Sequence, residues 1–110
     1  METVTLFRLH TDQVKVTIEA RIDEAGNLVV EGYDIGKTVE EFWGDSDYEY
    51  SVTVPAAETE KMFAIIGVPR GDNLALLSWL QNHFHTNTCY SDFRNWLDKH
   101  QIRSEGFSWR

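Results

Sequence analysis

Apolar and polar side chains alternate along much of the first half of the chain. In residues 14–22 (VKVTIEARI) every second residue from Val14 to Ile22 is apolar, and the residues between them are polar. A period of two sustained over this length predicts a β-strand with one buried face. Residues 3–9, 28–34 and 48–54 show the same pattern less regularly, and we interpret them as three further strands.

Short polar connections separate the first three of these strands. Residues 10–13 (HTDQ) suit a tight turn, and residues 23–27 (DEAGN) suit a hairpin in which Gly26 adopts a positive φ. Strands joined in this way form an antiparallel meander, with one face buried and the other in contact with water. The first half therefore predicts a four-stranded antiparallel sheet.

The pattern changes to helical spacing after Pro55. Residues 56–66 carry Met62, Ile65 and Ile66 at helical intervals and are followed by Gly67, a residue suited to a helix C-cap. This spacing predicts a first helix that ends at the glycine.

Two more helices follow. Asp72 can cap a helix over residues 73–84, in which Leu74, Leu77, Leu80 and Phe84 form an apolar stripe that Leu76 and Trp79 widen. A third helix is predicted from an N-cap at Ser91 to about His100, with its inner face formed by Phe93, Trp96 and Leu97.

The tail after the third helix has the sequence RSEGFSWR. Its two aromatic residues predict that it docks against the rest of the chain as a short fifth strand or a packed arm. Strands followed by helices are typical of the α+β class, so we expect about three helices on one face of the sheet. Residues 1–110 are interpreted as one domain, because no linker or repeat interrupts them.

The composition agrees with a globular protein. The chain is 42% hydrophobic and 13% aromatic, and it has one cysteine, Cys89, so it cannot form an intramolecular disulfide. No segment has the length of an apolar membrane span, and the N-terminus has no signal-peptide pattern. We therefore expect a cytoplasmic protein without membrane association.

The negative charge is concentrated in one segment. The formal net charge is −8, and residues 38–60 hold seven acids and no lysine or arginine, whereas the other 11 acids are balanced by 10 bases. Binding to nucleic acid needs clustered cations, so this charge distribution argues against a nucleic-acid-binding function. An acidic field instead steers a basic protein partner toward the segment.

Part of the acidic segment has a structural interpretation. Thr38 and Glu41 have the spacing of a capping box, so Glu40 and Glu41 are explained by a short capped helical turn. The acids that remain are Asp45, Asp47 and Glu49, which lead into the fourth strand at a spacing of two and flank Trp43. We propose these four, Trp43, Asp45, Asp47 and Glu49, as protein-binding residues, with the tryptophan as an anchor. A solvated strand face and a site for a divalent metal remain as alternatives, although the segment lacks the pattern of a calcium loop.

A second candidate for metal binding is His83, His85 and Cys89. These are zinc or copper ligand types, but two histidines at i and i+2 of a helix diverge by about 200°. They converge only if the helix ends near Phe84. The alternative is that the histidines complement a helix C-terminus and the cysteine is a small buried residue.

No catalytic pattern is visible. Cys89 lacks an activating motif, and YDIGKT at residues 33–38 lacks the first glycine of a phosphate loop. In size, acidity and lack of active-site motifs, the chain resembles bacterial immunity and inhibitor proteins, which implies binding rather than enzymatic activity. We therefore expect a binding module without a cofactor that docks a basic protein. A small metal-binding protein and a scaffold or homo-oligomeric subunit are the alternatives, and the sequence leaves the oligomeric state open.

Overall fold

The computed structural model describes residues 2–11, 14–36 and 47–109. Within these ranges the chain forms a five-stranded sheet and three helices. The strands are β1 (Thr3–His10), β2 (Val14–Ile22), β3 (Leu28–Gly36), β4 (Asp47–Val54) and β5 (Glu105–Trp109). The helices are α1 (Ala56–Ile66), α2 (Asn73–His83) and α3 (Cys89–Lys99).

The strands lie in the sheet in their sequence order, and each pairs antiparallel with the next. The predicted meander and α+β class are therefore confirmed, and the C-terminal tail supplies the fifth strand. The turn between β2 and β3 contains Gly26 at φ 89°, as the sequence predicts. Asp23 shapes this turn, because its carboxylate accepts hydrogen bonds from the backbone N–H groups of Ala25 and Asn27 at 3.0 and 2.9 Å.

The two faces of the sheet have different environments. One face, which we call the covered face, packs against the helices and presents buried residues from the central strands. The other, which we call the open face, carries the alternate residues and is not covered by any described helix. The buried residues of β2 to β4 on the covered face are Ile18, Ala20, Ile22, Leu28, Val30, Val52 and Val54.

The helices complete the hydrophobic core. α1 contributes Met62 and Phe63, and the other two contribute mainly leucine and aromatic side chains. The buried residues of α2 and α3 and of the loop between them are Leu76, Leu77, Leu80, Phe84, Cys89, Phe93 and Leu97. None of the helices formed by the described residues has the length and apolar composition needed to cross a membrane.

Two of the apolar residues that indicated the helices are exposed. Leu74 is 57% exposed and Ile65 is 44% exposed, because the helices turn these positions away from the sheet. The rest of the predicted stripe is confirmed, because Leu77, Leu80 and Phe84 are buried. Leu76 is buried beside them and widens the stripe, as the sequence predicts.

The helix ends agree only in part with the predictions. Asp72 caps α2 by accepting a hydrogen bond from Ala75 N at 3.1 Å, and Gly67 ends α1 with a left-handed φ of 81°. α3 begins at Cys89 rather than after Ser91, and its N-cap is Thr88. Thr88 therefore occupies the N-cap position that was predicted for Ser91. Its hydroxyl donates a hydrogen bond to the Asp92 carboxylate at 2.9 Å.

Glu58 fixes the path of the chain between α3 and β5. Its Oε1 accepts a hydrogen bond from the backbone N–H of Arg103 at 2.8 Å, and its Oε2 lies 2.6 Å from Lys61 Nζ. Ile102, the residue before Arg103, is buried in the core. A buried contact and a charged hydrogen bond together place the tail at the edge of β4.

Candidate docking face

A shallow depression of about 530 Å³ lies on the open face, across the middle of β2, β3, β4 and β5. The strand register brings its residues together, because Glu19 pairs with Glu31, Glu31 with Ser51, and Ser51 with Phe107. The side chains and backbone that line it come from Thr17, Glu19, Glu31, Gly32, Tyr33, Glu49, Tyr50, Ser51 and Phe107. These residues are scattered over 90 positions of sequence and become neighbours only in the sheet.

The lining is acidic. The described residues that form it include three glutamates and no lysine or arginine. The negative charge of Glu31 is partly neutralised, because Arg21 on the neighbouring strand donates a hydrogen bond to its carboxylate. Among the described residues, Glu19 and Glu49 have no ion-pair partner. Two carboxylates of the depression therefore remain available to a cation from outside.

Aromatic side chains border the same depression. Phe107 on β5 is 61% exposed, the most exposed of the large hydrophobic residues described, and Tyr33 on β3 is half-buried. An exposed phenylalanine beside carboxylates offers apolar contact area and a π-face for a cationic side chain. The depression thus combines the two kinds of group that recognise lysine or arginine.

The predicted protein-binding residues reach this face at one point. Glu49 is exposed and lines the depression, as the alternation with Tyr48 and Tyr50 predicts. Asp47 is the first residue of β4, where its backbone pairs with Ile35. Trp43 and Asp45 lie outside the described residues, as does the predicted capped turn from Thr38.

Only Glu49 of the nine lining residues is among the sequence-based candidates, so Glu19, Glu31 and Phe107 are absent from them. Glu19 is predicted only as part of the wet face of β2, and Glu31 and Phe107 are not singled out at all. The sequence signal for Glu19 and Glu31 is their alternation with apolar residues. What was missing is the register, which sets Glu19 against Glu31 and brings β5 beside β4.

The covered face carries a cluster of polar side chains formed by Tyr50, Asp34 and Tyr90. The Tyr50 hydroxyl donates to Asp34 Oδ1 at 3.0 Å, and the Tyr50 ring meets the Tyr90 ring edge-on at 4.7 Å between centroids. Burial raises the pKa of Asp34, and the Tyr50 hydrogen bond opposes this effect. Burial, with the Asp34 carboxylate beside it, also raises the pKa of Tyr50, so its hydroxyl stays a donor.

His83 and Cys89 contact or are buried among other residues of the fold, whereas His85 is exposed. His83 stacks on Trp79 at 4.5 Å between centroids, and its Nδ1 lies 2.9 Å from the Trp79 carbonyl oxygen. α2 does end at His83, but across residues 2–11, 14–36 and 47–109 no three His, Cys, Asp or Glu side chains are grouped so as to hold a metal ion. Cys89 is buried, which raises the pKa of its thiol to about 11. A protonated, buried thiol is a poor nucleophile and a poor ligand.

No protein-family model matches this chain, and neither the curated proteins nor the solved structures include a match to it.

Proposed function

We propose that this protein is a non-enzymatic binding module that docks a basic protein through the open face of its sheet. The observation that carries the proposal is the depression in which Phe107 is exposed and Glu19 and Glu49 have no cationic partner within residues 2–11, 14–36 and 47–109. Carboxylates facing solvent beside an aromatic anchor are complementary to lysine and arginine side chains.

The position of the acidic segment supports the same face. Residues 38–60 hold seven acids and no base, and this segment enters the sheet at Asp47 and continues through Glu49 into the depression. Of the described acids of this segment, Glu49 therefore lies on the proposed surface, whereas Glu58 and Glu60 lie on α1, where they form ion pairs with Lys61 and Arg70. We include Trp43, Asp45 and Asp47 in the proposed binding residues because they precede Glu49 directly in the chain.

A narrower version of the proposal is an immunity or inhibitor protein that neutralises a basic toxin or enzyme. Its support is the resemblance in size and acidity, together with an open sheet face large enough to cover part of a partner's surface. In this version the protein blocks its partner by occupying a cationic surface and performs no chemistry itself.

The test compares two double variants that remove the same charge. Glu19→Gln/Glu49→Gln neutralises the open face, and Glu24→Gln/Asp98→Asn neutralises two exposed acids elsewhere. Proteins from the source cell that are retained by the immobilised wild-type chain are purified, and their affinities for all three forms are measured by calorimetry at low and moderate salt.

We expect at least one basic protein to bind the wild-type chain and the control with the same Kd, and to bind the open-face variant about tenfold more weakly. Its affinity for the wild-type chain should also fall with added salt. If the protein inhibits its partner, the partner's activity should be lost with the wild-type chain and recovered with the open-face variant. Equal affinity of every retained protein for all three forms would contradict the proposal.

A further inference from the structure

The two edges of the sheet are not equally protected. At one edge, β1 carries a register shift between Thr5 and Phe7, and Gln81 of α2 donates from Nε2 to the Thr5 carbonyl oxygen at 3.1 Å. A bulge and a side chain that occupies a backbone acceptor are both means by which proteins prevent another strand from pairing with an edge.

In the part of the chain that the structure describes, the other edge has neither protection. β5 pairs with β4 in continuous register from Glu105 to Trp109, and it contains no lysine or proline. Among the described residues, no strand lies on the outer side of β5. Its outward backbone N–H and C=O groups are therefore free to pair with an added strand.

β5 is also held in place before any partner arrives. Ile102 is buried, and its backbone N–H donates a hydrogen bond to the Leu97 carbonyl oxygen at 2.9 Å. The backbone N–H of Arg103 donates a hydrogen bond to the Glu58 carboxylate. An edge that is already ordered binds an extended segment at a lower entropic cost, because only the incoming chain loses freedom.

We propose that the outer edge of β5 accepts an extended basic segment of the protein partner as a sixth strand. This inference rests on the proposed function and adds the conformation and the residue pattern of the partner. Backbone hydrogen bonds to β5 supply affinity, and the side chains on alternate positions supply specificity.

The surroundings of β5 define that pattern. On the open face, an added strand meets Glu105 and Phe107, with Glu49 one strand further in. On the covered face, it meets Gly106, where the guanidinium of Arg94 lies so close that an added Cβ would be 2.9 Å from Arg94 Nη2. A lysine or arginine is favourable on the first side and unfavourable on the second. The partner segment therefore has cations at alternate positions, separated by small or uncharged residues.

Two synthetic peptides of identical composition test the pattern. One alternates lysine and threonine, and the other has all its lysines in one block followed by its threonines. Only the alternating peptide can place every lysine on the open face. We expect it to bind the full chain at least about fivefold more tightly in fluorescence anisotropy at low salt. Equal affinity of the two peptides, or no binding of either, would overturn the proposal.

Backbone methylation tests the hydrogen bonding directly. Successive residues of a strand direct their N–H groups to opposite edges, so methylating the lysine nitrogens and methylating the threonine nitrogens block different edges of the peptide. We expect one of these two peptides to lose binding by about tenfold or more and the other to bind like the parent. Equal effects of the two methylations would show that no strand pairing occurs.

The Glu19→Gln/Glu49→Gln variant separates this inference from the proposed function. If that variant binds both unmethylated peptides less well but alternation has no effect, the open-face function stands and strand addition is refuted. If alternation and one methylation matter although the variant binds like the wild-type chain, strand addition stands and the open-face function fails.

Discussion

The covered and open faces are formed by the same strands, but side chains on the covered face are buried against the helices and side chains on the open face are in contact with water. On β3 and β4 the buried Val30 and Val52 alternate with Glu31 and Ser51, which line the open depression. A carboxylate on the open face is hydrated, whereas Asp34 on the covered face has its pKa raised by burial. The comparison indicates that substitutions on the covered face should change stability more than substitutions on the open face.

The largest effect is expected from removing an aromatic side chain of the covered core. Phe93 is fully buried and packs edge-on against Phe84 at 5.5 Å between centroids. Phe93→Ala should lower the free energy of unfolding by about 3–5 kcal/mol, because it loses buried area and leaves a cavity. Urea denaturation followed by tryptophan fluorescence measures this loss. The open-face control Phe107→Ala should change stability by less than about 1 kcal/mol, and a similar loss in both variants would break the distinction between the faces.

The second-largest effect is expected from a substitution at Gly32, which lies in β3 on the covered face. A Cβ built on Gly32 would overlap the ring of Tyr50, which lies over it from the neighbouring strand. Gly32→Ala should therefore destabilise the protein by about 1–3 kcal/mol, since the ring must move. Gly106→Ala is the matched control, because its Cβ meets only the flexible end of Arg94.

The Gly32 prediction can be checked further in a double-mutant cycle. In a Tyr50→Ala background the added methyl group has no ring to displace, so Gly32→Ala should cost much less there. An additive cycle, with the same cost in both backgrounds, would show that the Tyr50 ring is not the cause.

The third prediction concerns the acid dependence of the tail. The side-chain hydrogen bond with Lys61, followed by the bond from the Arg103 backbone, lowers the pKa of Glu58 below its ordinary value of 4.5. A lowered carboxyl pKa contributes stability that is fully present above about pH 4.5 and is lost as the pH falls through the folded-state pKa. Glu58→Gln should therefore be less stable than the wild-type chain at pH 7, and the difference should shrink in acid. A difference that is constant from pH 7 to below 4.5 would contradict this reasoning.

The smallest effect is expected from neutralising single carboxylates, and only the variant on the covered face should become more stable. Asp34→Asn should raise the free energy of unfolding at pH 7, because a neutral amide avoids the desolvation cost and its oxygen still accepts from Tyr50. Since burial raises the pKa of Asp34 above 3.8, the wild-type chain gains stability as the pH falls through that raised pKa, and the advantage of the variant disappears. Glu49→Gln on the open face should leave stability within about 0.5 kcal/mol. Thermal unfolding at pH 7 and in acid distinguishes the two variants, and equal behaviour would mean that Asp34 is hydrated like Glu49.

The sequence predicts the fold well and the candidate site only partly. Alternation over residues 14–22 and helical spacing after Pro55 are local signals, so they identify the strands and helices with small errors such as the start of α3. Of the predicted α2 stripe, Leu77, Leu80 and Phe84 are buried and Leu74 is exposed, because spacing alone does not show where the contact between a helix and the sheet ends. Glu49 was found from the local charge pattern, but its neighbours Glu19 and Phe107 were not, because they lie on distant strands.

What the sequence alone determined is therefore what depends on near neighbours: the periodicities, the glycine turns, the Asp72 cap and the concentration of acids in residues 38–60. The tertiary structure decided what depends on long-range pairing. It set Glu19 beside Glu31 and Phe107 beside Ser51, and it protected β1 while leaving the edge of β5 open. Register and edge exposure follow from how the strands and helices pack together, and that packing sums contacts from the whole chain, which no short stretch of sequence contains.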